Sequence, residues 1–201
     1  MQKKVAITGG IGSGKSTVSE IIKKSGYPVF SCDEIYGELL SDTAYIETLR
    51  TRFPSAVRNG KIDKKQLGKI IFSDKKARAE LDSIAHPMIM RNLFSKMKNC
   101  GNDLTFAEVP LLFEGNFEKD FDGIIFVKRN RAERIAAVCR RDNVSENEVL
   151  SRINAQFPYD TIEGETYLRS LNAYTVNNSD SLKELEKQVA RILSDLEKRE
   201  M

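Results

Sequence analysis

Gly9-Gly10-Ile11-Gly12-Ser13-Gly14-Lys15-Ser16 satisfies every fixed position of the pattern G-x-x-x-x-G-K-S, and Thr17 follows it. The pattern suits one kind of ligand. Glycines let the backbone approach phosphate oxygens without a Cβ in the way. Successive N–H groups and the start of a helix then face the anion. A lysine in the seventh position reaches the outer phosphates, and the hydroxyl after it can ligate Mg²⁺. The spacing therefore predicts a nucleotide-phosphate site built from Gly10, Ile11, Gly12, Ser13, Gly14, Lys15, Ser16 and Thr17, with Ser16 on the metal.

Three other groups of residues have the chemistry to work beside such a loop. Asp33 follows the second predicted strand, and in parallel sheets ligands bind outside the carboxyl ends of the strands. A carboxylate there can orient an acceptor hydroxyl and take its proton. The other role open to Asp33 is N-cap of the helix that begins at Glu34. Glu108 ends a third strand and suits water-mediated Mg²⁺ binding, with Glu114 as a second acid after Pro110-Leu111-Leu112-Phe113; surface ion pairing is the alternative for both. Arg134, Arg140 and Arg141 bring forked donors suited to phosphate. Adjacent residues do not share a helix face, so one of Arg140 and Arg141 is expected at the site and the other at the surface. His86 precedes Pro87 at an expected helix boundary. A lone histidine is ordinarily structural, and the other partner open to it is a substrate phosphate.

The elements that must position these residues follow from hydrophobic period. Lys4–Thr8, Tyr27–Ser31, Leu104–Val109, Gly123–Val127 and Ala173–Val176 read as strands, the fourth apolar enough to be buried on both faces. Helices are expected over Ser16–Lys24, Ala132–Arg141, Glu146–Gln156 and from Ser181 onward. The last has a Ser181/Glu184 capping-box signature and an apolar stripe from Leu182 to Leu196. Between Asp33 and Asn99 the pattern is helical, interrupted near Pro54, Asn59-Gly60 and His86-Pro87, with no strand expected. Strand and helix alternate elsewhere, which predicts an α/β fold: a doubly wound parallel sheet flanked by helices, with a helical insertion after its second strand.

Composition narrows the function. The chain has 201 residues, enough for one domain carrying a smaller insertion. No apolar run approaches the roughly 20 residues of a membrane-spanning helix, and the N-terminal stretch is too short for a signal peptide. Cys32, Cys100 and Cys139 are odd in number and scattered, which points to a reducing, cytoplasmic setting. A net charge of +3 does not mark a nucleic-acid binder, and no reading motif is present. The distribution is more informative. Eight basic residues against three acidic ones lie between Arg58 and Glu80, and six against Glu133 alone between Lys128 and Arg141. Taken singly, each run is equally a solvated helix face; two of them in a chain with a phosphate loop favour small polyanionic ligands. An Asn-Lys-x-Asp base-reading motif is absent, Asp120-Phe121-Asp122-Gly123 sits too late for a GTPase switch, and motor or transport ATPases are usually larger. A kinase of a small molecule is the reading left.

The order of the pieces resembles the dephospho-coenzyme A kinases over nearly the whole chain. The carrying segments are Thr8–Thr17, Cys32-Asp33, His86-Pro87, Val109-Pro110-Leu111-Leu112-Phe113-Glu114, Arg140-Arg141-Asp142, Arg152–Gln156 and Asn177-Asn178. The resemblance implies a P-loop kinase with a core over 1–32 and 104–201, a lid around 140–170, and a helical substrate-binding insertion over 33–103. It implies transfer of the γ-phosphoryl group of Mg²⁺-ATP to the ribose 3′-hydroxyl of dephospho-coenzyme A. Asp33 would be the base and acceptor anchor, Lys15 with Arg140 or Arg141 the phosphate-facing cations, and Asn178 a neighbour of adenine. His86, Pro110, Leu111 and Glu114 would meet the substrate, as would the basic segment from Arg58 onward. A monomer or weak oligomer is expected, with no nucleic-acid or membrane partner. The chain departs from the family at Ser31, where an acid is common, at Ala137, where an arginine is expected that Arg134 or Arg140 could replace, and at Tyr174. Two alternatives remain: another small-molecule P-loop kinase, such as one for nucleoside monophosphates, and a nucleotide-binding module that no longer catalyses.

Overall fold

The computed structural model describes residues 2–198. In chain order the elements are β1 (Lys3–Thr8), α1 (Lys15–Lys24), β2 (Val29–Ser31), α2 (Cys32–Leu39), α3 (Thr43–Arg52), β3 (Val57–Arg58), β4 (Lys61–Ile62), α4 (Lys64–Ser73) and α5 (Lys75–Asn99). They continue with β5 (Leu104–Glu108), β6 (Gly123–Lys128), α6 (Arg131–Asp142), α7 (Glu146–Asn154), α8 (Ile162–Ser170), β7 (Tyr174–Asn177) and α9 (Leu182–Lys198). Ser31–Lys96 forms one compact unit, and the chain on either side of it forms the other.

The larger unit is built on a sheet of order β2-β5-β1-β6-β7, with β1 parallel to both its neighbours and β6 parallel to β7. Central position explains composition. Val5, Ala6 and Ile7 of β1 and Ile124 to Val127 of β6 are all buried, so neither strand shows the polar alternation of a one-sided sheet. α9 covers one face with Leu185, Val189, Ile192, Leu193 and Leu196, spaced to form one stripe and packed in a core with Val5, Ile7, Val18, Ile22 and Phe106. Each such side chain contributes about 1.5–3 kcal/mol by leaving water. At the start of α9, Ser181 Oγ accepts the Glu184 amide, while the Glu184 carboxylate pairs with Lys187. The reciprocal capping box lies instead at Ser145 and Glu148, where α7 begins.

The smaller unit has its own core of Leu39, Tyr45, Leu49, Phe53, Ala56, Leu67, Leu81 and Ala85. Two expectations fail there. β3 and β4 form a short antiparallel hairpin, where no strand was expected. Asn59 and Gly60 both take positive φ (50° and 70°), the turn that matches strand twist, so Asn59-Gly60 marks a hairpin rather than a simple break. The helix also does not stop at His86-Pro87: α5 runs through Pro87 from Lys75 to Asn99. Leu81 and Ala85 before the proline are buried, with Met88 and Ile89 after it packed on the same core. That packing on both sides outweighs the hydrogen bond Pro87 cannot donate. A third difference lies in the larger unit, where α8 was not foreseen. Gly164 and Thr166 give it poor intrinsic propensity, and buried Leu168 fixes it from outside.

Candidate active site

The phosphate loop connects the buried end of β1 to α1, so its amides open at the carboxyl edge of the sheet. Gly14 is the residue before α1, with φ +91°, and a Cβ there would lie 2.0 Å from Asn178 Nδ2. Only glycine fits both the backbone angle and the close approach. The Thr17 and Val18 amides are taken up by the Gly14 carbonyl. The amides of Lys15 and Ser16 belong to the first turn, where a helix supplies no acceptor of its own, and they present an anion-binding end. Lys15 Nζ donates to the Gly9 and Gly10 carbonyls at 2.9 and 3.3 Å, which holds the ammonium across the loop.

Lys15 and Ser16 line a cleft of about 180 Å³ together with Gly12, Gly14, Glu108, Arg129, Ala137, Val138 and Arg141. Glu108 is register partner to Ile7, which brings the end of β5 beside the strand that feeds the loop. Its Oε2 accepts from Ser19 Oγ at 3.0 Å, so α1 orients the carboxylate. An exposed Ser16 hydroxyl and a fixed carboxylate on one cleft are the oxygen donors that Mg²⁺ prefers, with phosphate and water completing its shell. Among the described residues no cluster of three His, Cys, Asp or Glu side chains is set to hold a metal by itself.

The arginines divide by helix face. Arg141 lines the cleft, and Arg140 on the next face is an exposed residue outside it. Arg141 is bidentate to Asp142 (2.7 and 3.1 Å), which also accepts from Arg152 of α7 at 2.7 Å. Hydrogen bonding and charge from Arg141, then Arg152, hold the Asp142 carboxyl below the usual carboxylate range. Arg134, considered as a replacement for the arginine absent at Ala137, is turned elsewhere. It is 3% exposed and donates to the Ile11 carbonyl and to both oxygens of Asp160. Ala137 itself lines the cleft, and Arg129 lines it together with Arg141; Arg129 has Nε on Glu133 at 3.1 Å and Nη1 within 3.5 Å of the Gly12 carbonyl. The basic run from Lys128 contained Arg129, but nothing in its spacing separated it from its neighbours.

Several loop residues are occupied in ways the motif does not announce. The Ile11 amide, expected to face phosphate, donates to Gln156 Oε1 at 2.8 Å. Asn178, expected near adenine, donates from Nδ2 to the Ser13 carbonyl at 2.8 Å and so holds the loop itself. Pro110 and Leu111 are half-buried in the turn after β5, and Leu112 and Phe113 are buried beneath it. The Glu114 carboxylate accepts the Phe157 amide at 2.8 Å. Phe113, Phe157, Tyr159 and Tyr167 pack ring against ring below this turn, and burial pushes the Tyr159 phenol far above its ordinary range.

Asp33 and His86 belong to the smaller unit. Asp33 lies two residues past the end of β2, exposed, in the first turn of α2. The capping role that competed for it falls to Ser31, whose side chain accepts the Glu34 amide. His86 is half-buried inside α5, with Nε2 3.8 Å from Asp82 one turn earlier. All eight basic residues from Arg58 to Arg78 are exposed.

A parallel sheet with a phosphate loop after its central strand, and a lysine, hydroxyl and carboxylate on one cleft, define a P-loop kinase. Shikimate kinase from Acinetobacter baumannii shares this fold, with a TM-score of 0.58 at 14% identity over 100% of this chain and 97% of that one. Residues 3–184 match the family described as dephospho-CoA kinase (CoaE), and the chain belongs to that family. The dephospho-CoA kinase of Thermus thermophilus is 34% identical over 192 residues, covering 96% of this chain and 91% of that one. The structure of dephospho-CoA kinase from Campylobacter jejuni superposes with a TM-score of 0.70 at 25% identity, over the whole of both chains.

Proposed function

We propose that this kinase transfers the γ-phosphoryl group of ATP to the ribose 3′-hydroxyl of dephospho-coenzyme A. The observation that carries the reading is the Lys15, Ser16 and Glu108 cleft on the phosphate loop, in a chain of the dephospho-CoA kinase family. The loop amides and Lys15 hold the ATP phosphates. Ser16 and Glu108 hold Mg²⁺, which neutralises phosphate charge when bound. Asp33 accepts the proton of the 3′-hydroxyl as that oxygen bonds to the γ-phosphorus and the bond from phosphorus to the β–γ bridging oxygen breaks, releasing ADP. Arg129 and Arg141 face the charge that spreads over the transferring group. The segment carrying α7 and α8 acts as a lid that keeps water from the phosphoryl group. Residues 33–103 form the acceptor-binding part, where the exposed lysines and arginines from Arg58 to Arg78 attract the acidic substrate.

A coupled ADP-release assay with Mg²⁺-ATP, with and without dephospho-coenzyme A, tests the reaction. Acceptor-dependent ADP and a product heavier by one phosphate are expected. Phosphorylation of a nucleoside monophosphate but not of dephospho-coenzyme A would replace this reading with the other small-molecule kinase. Tight ATP binding with no turnover would replace it with a non-catalytic module.

A further inference from the structure

Ile11 is gripped at both of its polar groups by side chains from outside the loop. Its N–H donates to Gln156 Oε1 at 2.8 Å, and its carbonyl accepts from Arg134 Nε at 3.0 Å. Arg134 is in turn held by both oxygens of Asp160, at 2.8 and 3.0 Å from Nη1. Gln156 and Asp160 are the ends of one short stretch between α7 and α8. Within it, Tyr159 OH lies 3.3 Å from Thr8 Oγ1, the last residue of β1 before the loop, and the Phe157 amide reaches Glu114. The fit leaves no slack: a Cβ on Gly10 would lie 2.2 Å from Arg134 Nη2.

From this geometry we infer that residues 156–160 are a strap that sets the curvature of the phosphate loop, with Gln156 and Asp160 as positioning residues for ATP. The inference rests on the kinase reading only for the identity of the nucleotide. Arg134 is buried and gives its guanidinium to the Ile11 carbonyl and Asp160, so its part is to transmit the position of Asp160 to the loop. Gln156 is suited to its place because an amide oxygen accepts the Ile11 N–H without adding negative charge beside a polyanion. A carboxylate there makes the same hydrogen bond and repels the ligand. The grip on Ile11 leaves the Lys15 and Ser16 amides, further along the loop, for phosphate.

The test is ATP affinity by calorimetry without acceptor, alongside steady-state KM values, for Gln156→Met, Gln156→Glu and Asp160→Asn. Gln156→Met loses the acceptor and keeps the length. It should weaken ATP about tenfold, the scale of one lost hydrogen bond, with the KM for dephospho-coenzyme A within about twofold. Gln156→Glu should bind ATP weakly at low salt and recover as salt screens the added charge, a response that a packing defect does not give. Asp160→Asn should weaken ATP in the same direction, and its combination with Gln156→Met should cost less than the two separately, because both act through Ile11. If Asp160→Asn does not fold, Gln156→Met decides alone. ATP affinity within twofold of the parent in folded Gln156→Met, or an equal loss for both substrates, overturns the inference. A parent enzyme that binds ATP but does not phosphorylate dephospho-coenzyme A would refute the proposed reaction and leave this test standing.

Discussion

The phosphate loop and the helical unit Ser31–Lys96 both meet anions in the proposed reaction, yet they are prepared for them differently. The loop is held by residues far away in sequence: Gln156 and Arg134 on Ile11, Asn178 on Ser13, Tyr159 beside Thr8. Its donors are backbone groups whose directions are settled when the protein folds. The helical unit spends its tertiary contacts on an apolar core and leaves Arg58, Lys61, Lys64, Lys65, Lys69, Lys75, Lys76 and Arg78 on exposed surfaces. Those side chains carry rotamer freedom that a ligand must pay to remove. The contrast fits two tasks. Phosphoryl transfer requires donors fixed at the reacting group, whereas attraction of a charged acceptor requires only a field.

Four variants test this contrast, from the largest effect down. Lys15→Ala removes the loop cation proposed to hold the ATP phosphates and should lower kcat by about a thousandfold or more, with an unchanged circular dichroism spectrum. A loss below tenfold would show that the loop amides do the work alone. Asp33→Asn keeps shape and removes the proposed base; turnover should fall by about a hundredfold or more, while ATP affinity by calorimetry stays near that of the parent. Normal turnover would mean that another group takes the hydroxyl proton.

Gly14→Ala forces a side chain into a left-handed backbone and onto Asn178. The backbone angle alone costs roughly 1–2 kcal/mol, so Tm should drop by several degrees and ATP should bind more weakly, with the KM for dephospho-coenzyme A little changed. Replacing Lys64, Lys65 and Lys69 together by Glu should do the reverse. The KM for dephospho-coenzyme A should rise by about three- to tenfold at low salt and the difference should shrink in high salt, while the KM for ATP holds. A salt-independent effect, or one shared by ATP, would erase the distinction between a fixed site and a diffuse field.

Much of the nucleotide half was legible in the chain itself. The loop, the apolar runs of β1 and β6 and the stripe on α9 are local patterns with local causes, and the structure carries each where its spacing requires. Asp33 was legible as a residue just past a strand, but its spacing also allowed the capping role that Ser31 fills. The misses have specific causes. Pro87 signals a break that burial on both sides overrides. Asn59-Gly60 signalled a turn whose two-residue strands were too short to show a period. Arg134 and Arg129 looked alike in sequence, and burial separates them: one is locked behind the loop while the other lines the cleft.

The sequence by itself determined the phosphate loop, the parallel α/β class and the residues with the right chemistry, because those depend on side-chain type and near-neighbour spacing. The tertiary structure alone decided which charged groups face the cleft and which hold the loop. It set Arg141 rather than Arg140 on the cleft, turned Arg134 to Asp160, and gave Gln156 and Asn178 to the loop backbone. Those contacts join residues more than a hundred positions apart, or depend on the direction a helix face takes after packing, and no local pattern encodes either.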